Sequence, residues 1–211
     1  VTYNLAAAED WARGADSAVT IADQTGNGIV VSGNNATPVI ANLDGDSVAW
    51  AGAGQYVPLD AGTALTVTDA ELGALNSSNG NWDGARLTIS RVKSGGAADG
   101  TTKDLFKFVT NSVFNLQEGN PYGSGAYPTQ QSIEEAQAIG QNATGALNDS
   151  QGDGWFARWS YTYATGTLVV EFGPTATGDP EINRTATTAL VRAVLANIAY
   201  RNDTPYGDAT I

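Results

Sequence analysis

Asp44-Gly45-Asp46 places two carboxylates and a free backbone carbonyl within three residues. Asp60, Asp69 with Glu71, and Asp83 follow, each in a turn or at the end of a β-rich run, with Asn42, Asn76, Asn79 and Asn81 among them. Asp149-Ser150-Gln151-Gly152-Asp153 repeats the pattern further on. Calcium needs about six to eight oxygens from carboxylates, amides and carbonyls, and turns of this kind deliver them. The chain has 22 acids against 10 bases, a net charge of -12, and neither His nor Cys. Any metal ligands must therefore be oxygens, which restricts the metal to hard cations such as calcium or magnesium. Clustered carboxylates also repel one another unless a cation sits among them. Asp, Asn and Gly are good turn formers, and this accounts for any one of these turns taken alone. For the set, calcium is the better reading, in several ions, with Asp44, Asp46, Asp60, Asp69, Asp83, Asp149 and Asp153 as the expected ligands. An EF-hand does not fit, because its loop needs Glu at the last of about twelve positions. Counting from Asp44 or from Asp149, that position holds Gln55 or Ser160.

Most catalytic chemistry is excluded by the same composition. Without His or Cys there is no Ser-His-Asp or Cys-His nucleophile, no zinc finger and no disulfide. Glu134 and Glu135 are adjacent, so on a helix they do not face one another. Glu171 near the end of a strand reads as a solvent-facing carboxylate. Gly26-Asn27-Gly28 and Gly152-Asp153-Gly154 lack the Lys-Ser/Thr of a phosphate loop. The expectation is a protein without catalytic activity. A pI near 4.1 argues against nucleic acid and against an anionic membrane surface. No apolar run is long enough to span a bilayer. Tyr122 and Tyr127, flanked by Gly and Pro, are candidates for exposed contacts. With Asn148, Gln151 and Trp155 they form the expected ligand-binding set, lining a groove for a peptide or a sugar. Trp159-Ser160-Tyr161-Thr162-Tyr163 puts aromatics at period two, as one buried strand face does.

Turn signals recur at short spacing, among them Thr25-Gly26-Asn27-Gly28, Asp44-Gly45-Asp46, Asn79-Gly80-Asn81 and Ser94-Gly95-Gly96. Between such turns lie β-rich runs at 18–21, 28–31, 38–43, 47–50, 55–59, 64–68, 86–90, 160–163 and 167–172. Strands at this spacing, with Gly-rich turns, predict an all-β fold: an antiparallel β-sandwich stabilised by calcium. Two stretches break the rhythm. Residues 131–139 read as a short helix with Ser132 as N-cap, Glu135 completing a capping box and Gly140 as the stop. Residues 187–194 read as one or two helical turns that pass into a strand near 197–200. Residues 97–158, long, aromatic, Gly-rich and acidic, read as an insertion outside the framework that carries the short helix and the ligand site. The whole of 1–211 is expected to be one ligand-binding domain. With Val1 first and no Met, it reads as a monomeric segment of a longer chain.

Pro38-Val39-Ile40-Ala41-Asn42-Leu43-Asp44-Gly45-Asp46, then Val57-Pro58-Leu59-Asp60-Ala61-Gly62 and Leu65-Thr66-Val67-Thr68-Asp69, resembles the opening of cadherin-like extracellular repeats in giant bacterial surface proteins. Leu190-Val191-Arg192-Ala193-Val194-Leu195-Ala196-Asn197-Ile198-Ala199-Tyr200-Arg201-Asn202, with Thr204-Pro205 after it, is similar to how those repeats close. The two ends bracket an unusually long middle, as in the calcium-dependent peptide-binding domain of repeats-in-toxin adhesins. That resemblance implies a calcium-laden sandwich, secreted to the bacterial surface. It would capture the C-terminal peptide of a protein on a host or neighbouring cell, in adhesion and biofilm formation. A calcium ion would help to hold the terminal carboxylate. Two other expectations stay open: a spacer that calcium merely rigidifies, and a lectin-like module that binds a glycan.

Overall fold

The computed structural model describes residues 19–22, 28–31, 38–42, 53–92, 98–118, 132–150, 154–173 and 183–203. Twelve strands and three short helices lie within them. In chain order they are β1 (Val19–Ala22), β2 (Gly28–Val31), β3 (Val39–Ala41), β4 (Val57–Pro58), β5 (Thr66–Thr68), α1 (Ala70–Ser78), β6 (Arg86–Ile89), β7 (Asp104–Phe108), β8 (Phe114–Glu118), α2 (Ile133–Ala138), β9 (Ala143–Asp149), β10 (Trp155–Thr162), β11 (Thr167–Phe172), α3 (Thr188–Ala196) and β12 (Ile198–Asn202). The fold is mostly antiparallel β-structure, as its alternating runs and Gly-rich turns predict.

The largest sheet has five strands in the order β6-β11-β10-β9-β8, and a three-stranded sheet has the order β4-β12-β7. β1 pairs with β2 and β3 with β5. Neighbouring strands in the two larger sheets run antiparallel. β11 shows why the sequence folds this way: Leu168, Val170 and Phe172 alternate into the core while Glu171 faces outward beside Arg86. β10 does the same with Trp159 and Tyr161, each 1% exposed, so the period-two aromatics form a buried strand face. Trp159 meets Phe108 of β7 with ring centroids 5.9 Å apart, and residues of both larger sheets share one core.

The helices close that core. Thr187 caps α3 through a hydrogen bond from the Leu190 amide, and Leu190, Val191, Val194 and Leu195 are its buried face. Trp82 Nε1 donates to Thr188 Oγ1 at 2.9 Å, and the Thr188 amide donates to the Asn79 carbonyl. This contact needs Gly80, which has φ +84, because a Cβ there would collide with Thr188. α2 has the full capping box: the Glu135 amide donates to Ser132 Oγ at 3.1 Å, and the Ser132 amide donates to Glu135 Oε2 at 3.0 Å. α1 was absent from the sequence expectation. Asp69 caps its first turn, and Asn76, Ser77 and Ser78 then turn left-handed, with φ 50, 56 and 66.

Residues 97–158, expected as an insertion, carry sheet strands as well as the short helix. They supply β7, β8, β9 and the start of β10, including three of the five strands of the larger sheet. The short helix within this stretch is present as α2. The expected strand at 47–50 lies outside the described residues.

Candidate functional site

The predicted cation ligands divide by their partners. Asp69 is 8% exposed; its Oδ1 accepts the Leu72 amide at 2.7 Å, while its Oδ2 is buried with no hydrogen-bond partner. Asp60 uses Oδ2 weakly, accepting the Leu65 amide at 3.4 Å, and its Oδ1 is again buried and unpartnered. Glu71 Oε2 is in the same state. Nearly all buried polar atoms in folded proteins find a partner, because an unpaired one keeps its full desolvation cost. Three carboxylate oxygens without donors in one stretch of twelve residues therefore form a set of acceptors that lacks a cation or a donor. Among the described residues, no three acidic side chains gather into one metal-holding group. An ion bound here would take its further oxygens from carbonyls, amides or water.

Asp83 and Asp149 have protein partners instead. Asp83 Oδ1 accepts the Ala186 amide at 3.2 Å. Burial raises its carboxyl pKa, and the Ala186 hydrogen bond only partly offsets that. Gly173 packs against Asp83 so closely that a Cβ would strike the carboxylate. Asp149, 6% exposed, is paired with Arg184 Nη2 at 2.5 Å. Asp44, Asp46 and Asp153 lie outside the described residues.

Of the expected ligand-binding set, the structure brings Asn148 and Trp155 directly opposite one another on β9 and β10. A bulge between Trp155 and Ala157 turns the strand just after this pair. The Asp149 amide donates to the Gly154 carbonyl at 3.1 Å and closes the connection. The Trp155 carbonyl accepts from the amides of Asn183 and Arg184 at 3.1 and 3.0 Å. Gly154 lets that chain lie close, since a Cβ would enter the Arg184 and Asn183 side chains. Asn148, Asp149, Trp155 and Arg184 thus make one polar corner, half open to solvent. Tyr122, Tyr127 and Gln151 lie outside the described residues.

The most heavily bonded acid was not among the sequence candidates. Asp104 opens β7 with no exposed surface. Its carboxylate accepts from Tyr200 Oη at 2.5 Å, Asn202 Nδ2 at 2.7 Å, the Thr101 amide at 2.6 Å and Thr101 Oγ1 at 3.1 Å. Arg91 Nε lies 3.1 and 3.2 Å from its two oxygens, and Arg91 Nη1 reaches Asp99 at 2.8 Å. Burial alone would raise the Asp104 carboxyl, but Tyr200, Asn202, Thr101 and Arg91 together bring it below its ordinary value. The same burial, with the Asp104 charge beside it, pushes the Tyr200 phenol well above its usual range. Tyr161, whose hydroxyl donates to the Asp104 carbonyl at 2.8 Å, is pushed up to about 12. The signal available in sequence was an Asp at the head of the apolar run Leu105-Phe106, shortly after the turn pair Asp99-Gly100.

Comparison with protein-family models, with curated proteins and with solved structures finds no match to this chain, so the adhesin resemblance rests on its own residues.

Proposed function

We propose that this chain is a calcium-dependent ligand-binding module of a large bacterial surface adhesin. In this reading it is a calcium-stabilised β-sandwich outside the cell, without catalytic activity, that recognises the C-terminal end of a peptide or protein on a host or neighbouring cell. The observation that carries the reading is the set of donor-less buried carboxylate oxygens on Asp60, Asp69 and Glu71 in a chain of net charge -12. A calcium ion satisfies such oxygens and couples binding to folding. An ion with an open coordination position then accepts a foreign carboxylate, which is how an acidic protein takes hold of an acidic chain end.

The test has two parts. Melting is followed with calcium and with EDTA, and a peptide library is presented with free and with amidated C-termini. The module should melt higher in calcium and should retain free-ended peptides only while calcium is present. An unchanged melting temperature in EDTA would end the calcium reading. Equal retention of amidated peptides would end the chain-end reading. The spacer alternative draws on one observation: Arg184 already neutralises Asp149 at the corner where ligand contacts were expected. A spacer would gain stability from calcium and retain no peptide.

A further inference from the structure

A second site, independent of calcium, lies where β7, β8 and β10 meet the start of α2. A cavity of about 140 Å³ opens there, walled by Phe106, Phe108, Leu116, Ile133 and Trp159, with Tyr56, Lys107, Ser132 and Glu134 also lining it. An apolar engineered cavity of about 150 Å³ is known to take a benzene molecule, so this one has room for a single ring.

Most of its polar groups are hydrogen-bond donors. Trp159 Nε1 is buried and has no partner. Tyr56 lies beside Glu134, and burial with that neighbouring carboxylate keeps the phenol protonated. Lys107 is exposed on β7, and its ammonium stands 5.5 Å from the Tyr56 ring centroid with no carboxylate paired to it among the described residues. Glu134, the one acid lining the cavity, is engaged by Arg201 Nη1 at 3.0 Å. An indole N–H, a phenol O–H and an ammonium are all donors. The cavity's one carboxylate, Glu134, is taken up by Arg201 and Tyr56, which leaves the buried Trp159 N–H and the Lys107 ammonium to be answered, and a carboxylate offers the most acceptor positions with the right charge for Lys107.

We propose that this cavity binds a small carboxylic acid built on a single apolar ring, with the ring against Phe106, Phe108 and Trp159 and the carboxylate at the Lys107 end. Pocket walls of apolar and aromatic residues with a few converging polar groups are the usual make-up of small-molecule sites. The site goes beyond the adhesin reading and needs none of its ligands.

The experiment titrates the whole chain, in calcium and again in EDTA with melting as the check on folding, with benzoate and phenylacetate, using benzyl alcohol and benzylamine as comparators of the same body. Calorimetry gives affinity, and the Trp159 indole N–H resonance reports on the cavity. Benzoate or phenylacetate should bind saturably, at least tenfold tighter than either comparator, and should move that resonance. Lys107→Gln should weaken the acids about tenfold and leave benzyl alcohol unchanged. Ile133→Phe should fill the cavity and weaken acid and alcohol together. Should Ile133→Phe fail to fold, Leu116→Phe is the second filling variant, with melting as the check on both. Saturation by benzyl alcohol as tight as by benzoate would overturn the proposal. So would an Nε1 resonance that does not move at saturating acid, the absence of saturable binding, or acid affinity unaltered in Lys107→Gln.

Discussion

Asp104 and Asp69 are both removed from solvent, and both sit at the threshold of a secondary-structure element, but they meet the cost of burial in opposite ways. Asp104 has donors on both oxygens, from a tyrosine, an asparagine, a threonine and an arginine drawn from three parts of the chain. Asp69 has one donor, the Leu72 amide of the helix it caps, and its other oxygen has none; Asp60 and Glu71 repeat that deficit nearby. A buried carboxylate with its own donors is structural, because its charge is already answered within the fold. One without them keeps its desolvation cost unless a water, an ion or another donor meets it. Acid count alone cannot separate the two among the 22 acids of the chain.

The contrast can be broken from either end. Asp104→Ala carries the largest expected effect. It strands Arg91, Tyr200 and Asn202 inside the core and should cost about 3–5 kcal/mol, read by urea unfolding, with the same loss in calcium and in EDTA. A calcium-dependent loss would move Asp104 into the cation class. The pH profile follows from the same residue. Its folded carboxyl lies below the unfolded value of about 3.9. Its contribution is therefore complete above that value and disappears as pH falls through the folded one. Asp104→Asn should flatten that acid limb.

The second effect concerns the other class. Calcium at about a hundred times its dissociation constant should stabilise the native chain by about 2.7 kcal/mol. Asp69→Asn combined with Glu71→Gln should abolish most of that gain while changing little in EDTA, since Asn caps a helix as well as Asp does. A double variant that still responds fully to calcium would place the ion elsewhere. Ser132→Ala is smaller: it removes one half of the α2 capping box and should cost about 1 kcal/mol in thermal unfolding, irrespective of metal. Smallest is Asp83→Asn. Its carboxyl is raised by burial, so whatever it contributes is present at low pH and lost as pH rises through its folded value. The amide keeps an acceptor for the Ala186 N–H, so the variant should be neutral or slightly stabilising near pH 7. A marked destabilisation there would show that the charge itself is used.

Strands with clean alternation were legible in the sequence. Gly28–Val31 and Thr167–Phe172 appear at the expected residues, and Arg86–Ile89 ends one residue early. What escaped was β9, Ala143-Thr-Gly-Ala-Leu-Asn-Asp149, which has few β-branched residues and reads as a loop. It lies between β8 and β10, and five of its seven residues are buried, so small residues fit where periodicity would not reveal them. β7 was hidden similarly, with Asp104, Leu105, Phe106 and Phe108 all buried and no polar alternation. β8, Phe114–Glu118, was missed as well, and all three strands fall in 97–158, which is why that stretch looked like an insertion. The candidate site was legible as residue types and not as groupings. Asn148 and Trp155 came together, but the Arg184 that occupies Asp149 arrives from 35 residues away and no local spacing announces it.

β12 is the middle strand of its sheet, with five register pairs to β7 and two to β4. A pull on the chain past Asp203, directed along that strand, loads those rungs side by side and not one after another. Asn202 and Tyr200 add two side-chain ties from β12 to Asp104 at the head of β7. The closing strand therefore behaves as a shear clamp: tension reaching it must slide the whole ladder at once before the core is exposed, a geometry suited to bearing mechanical load.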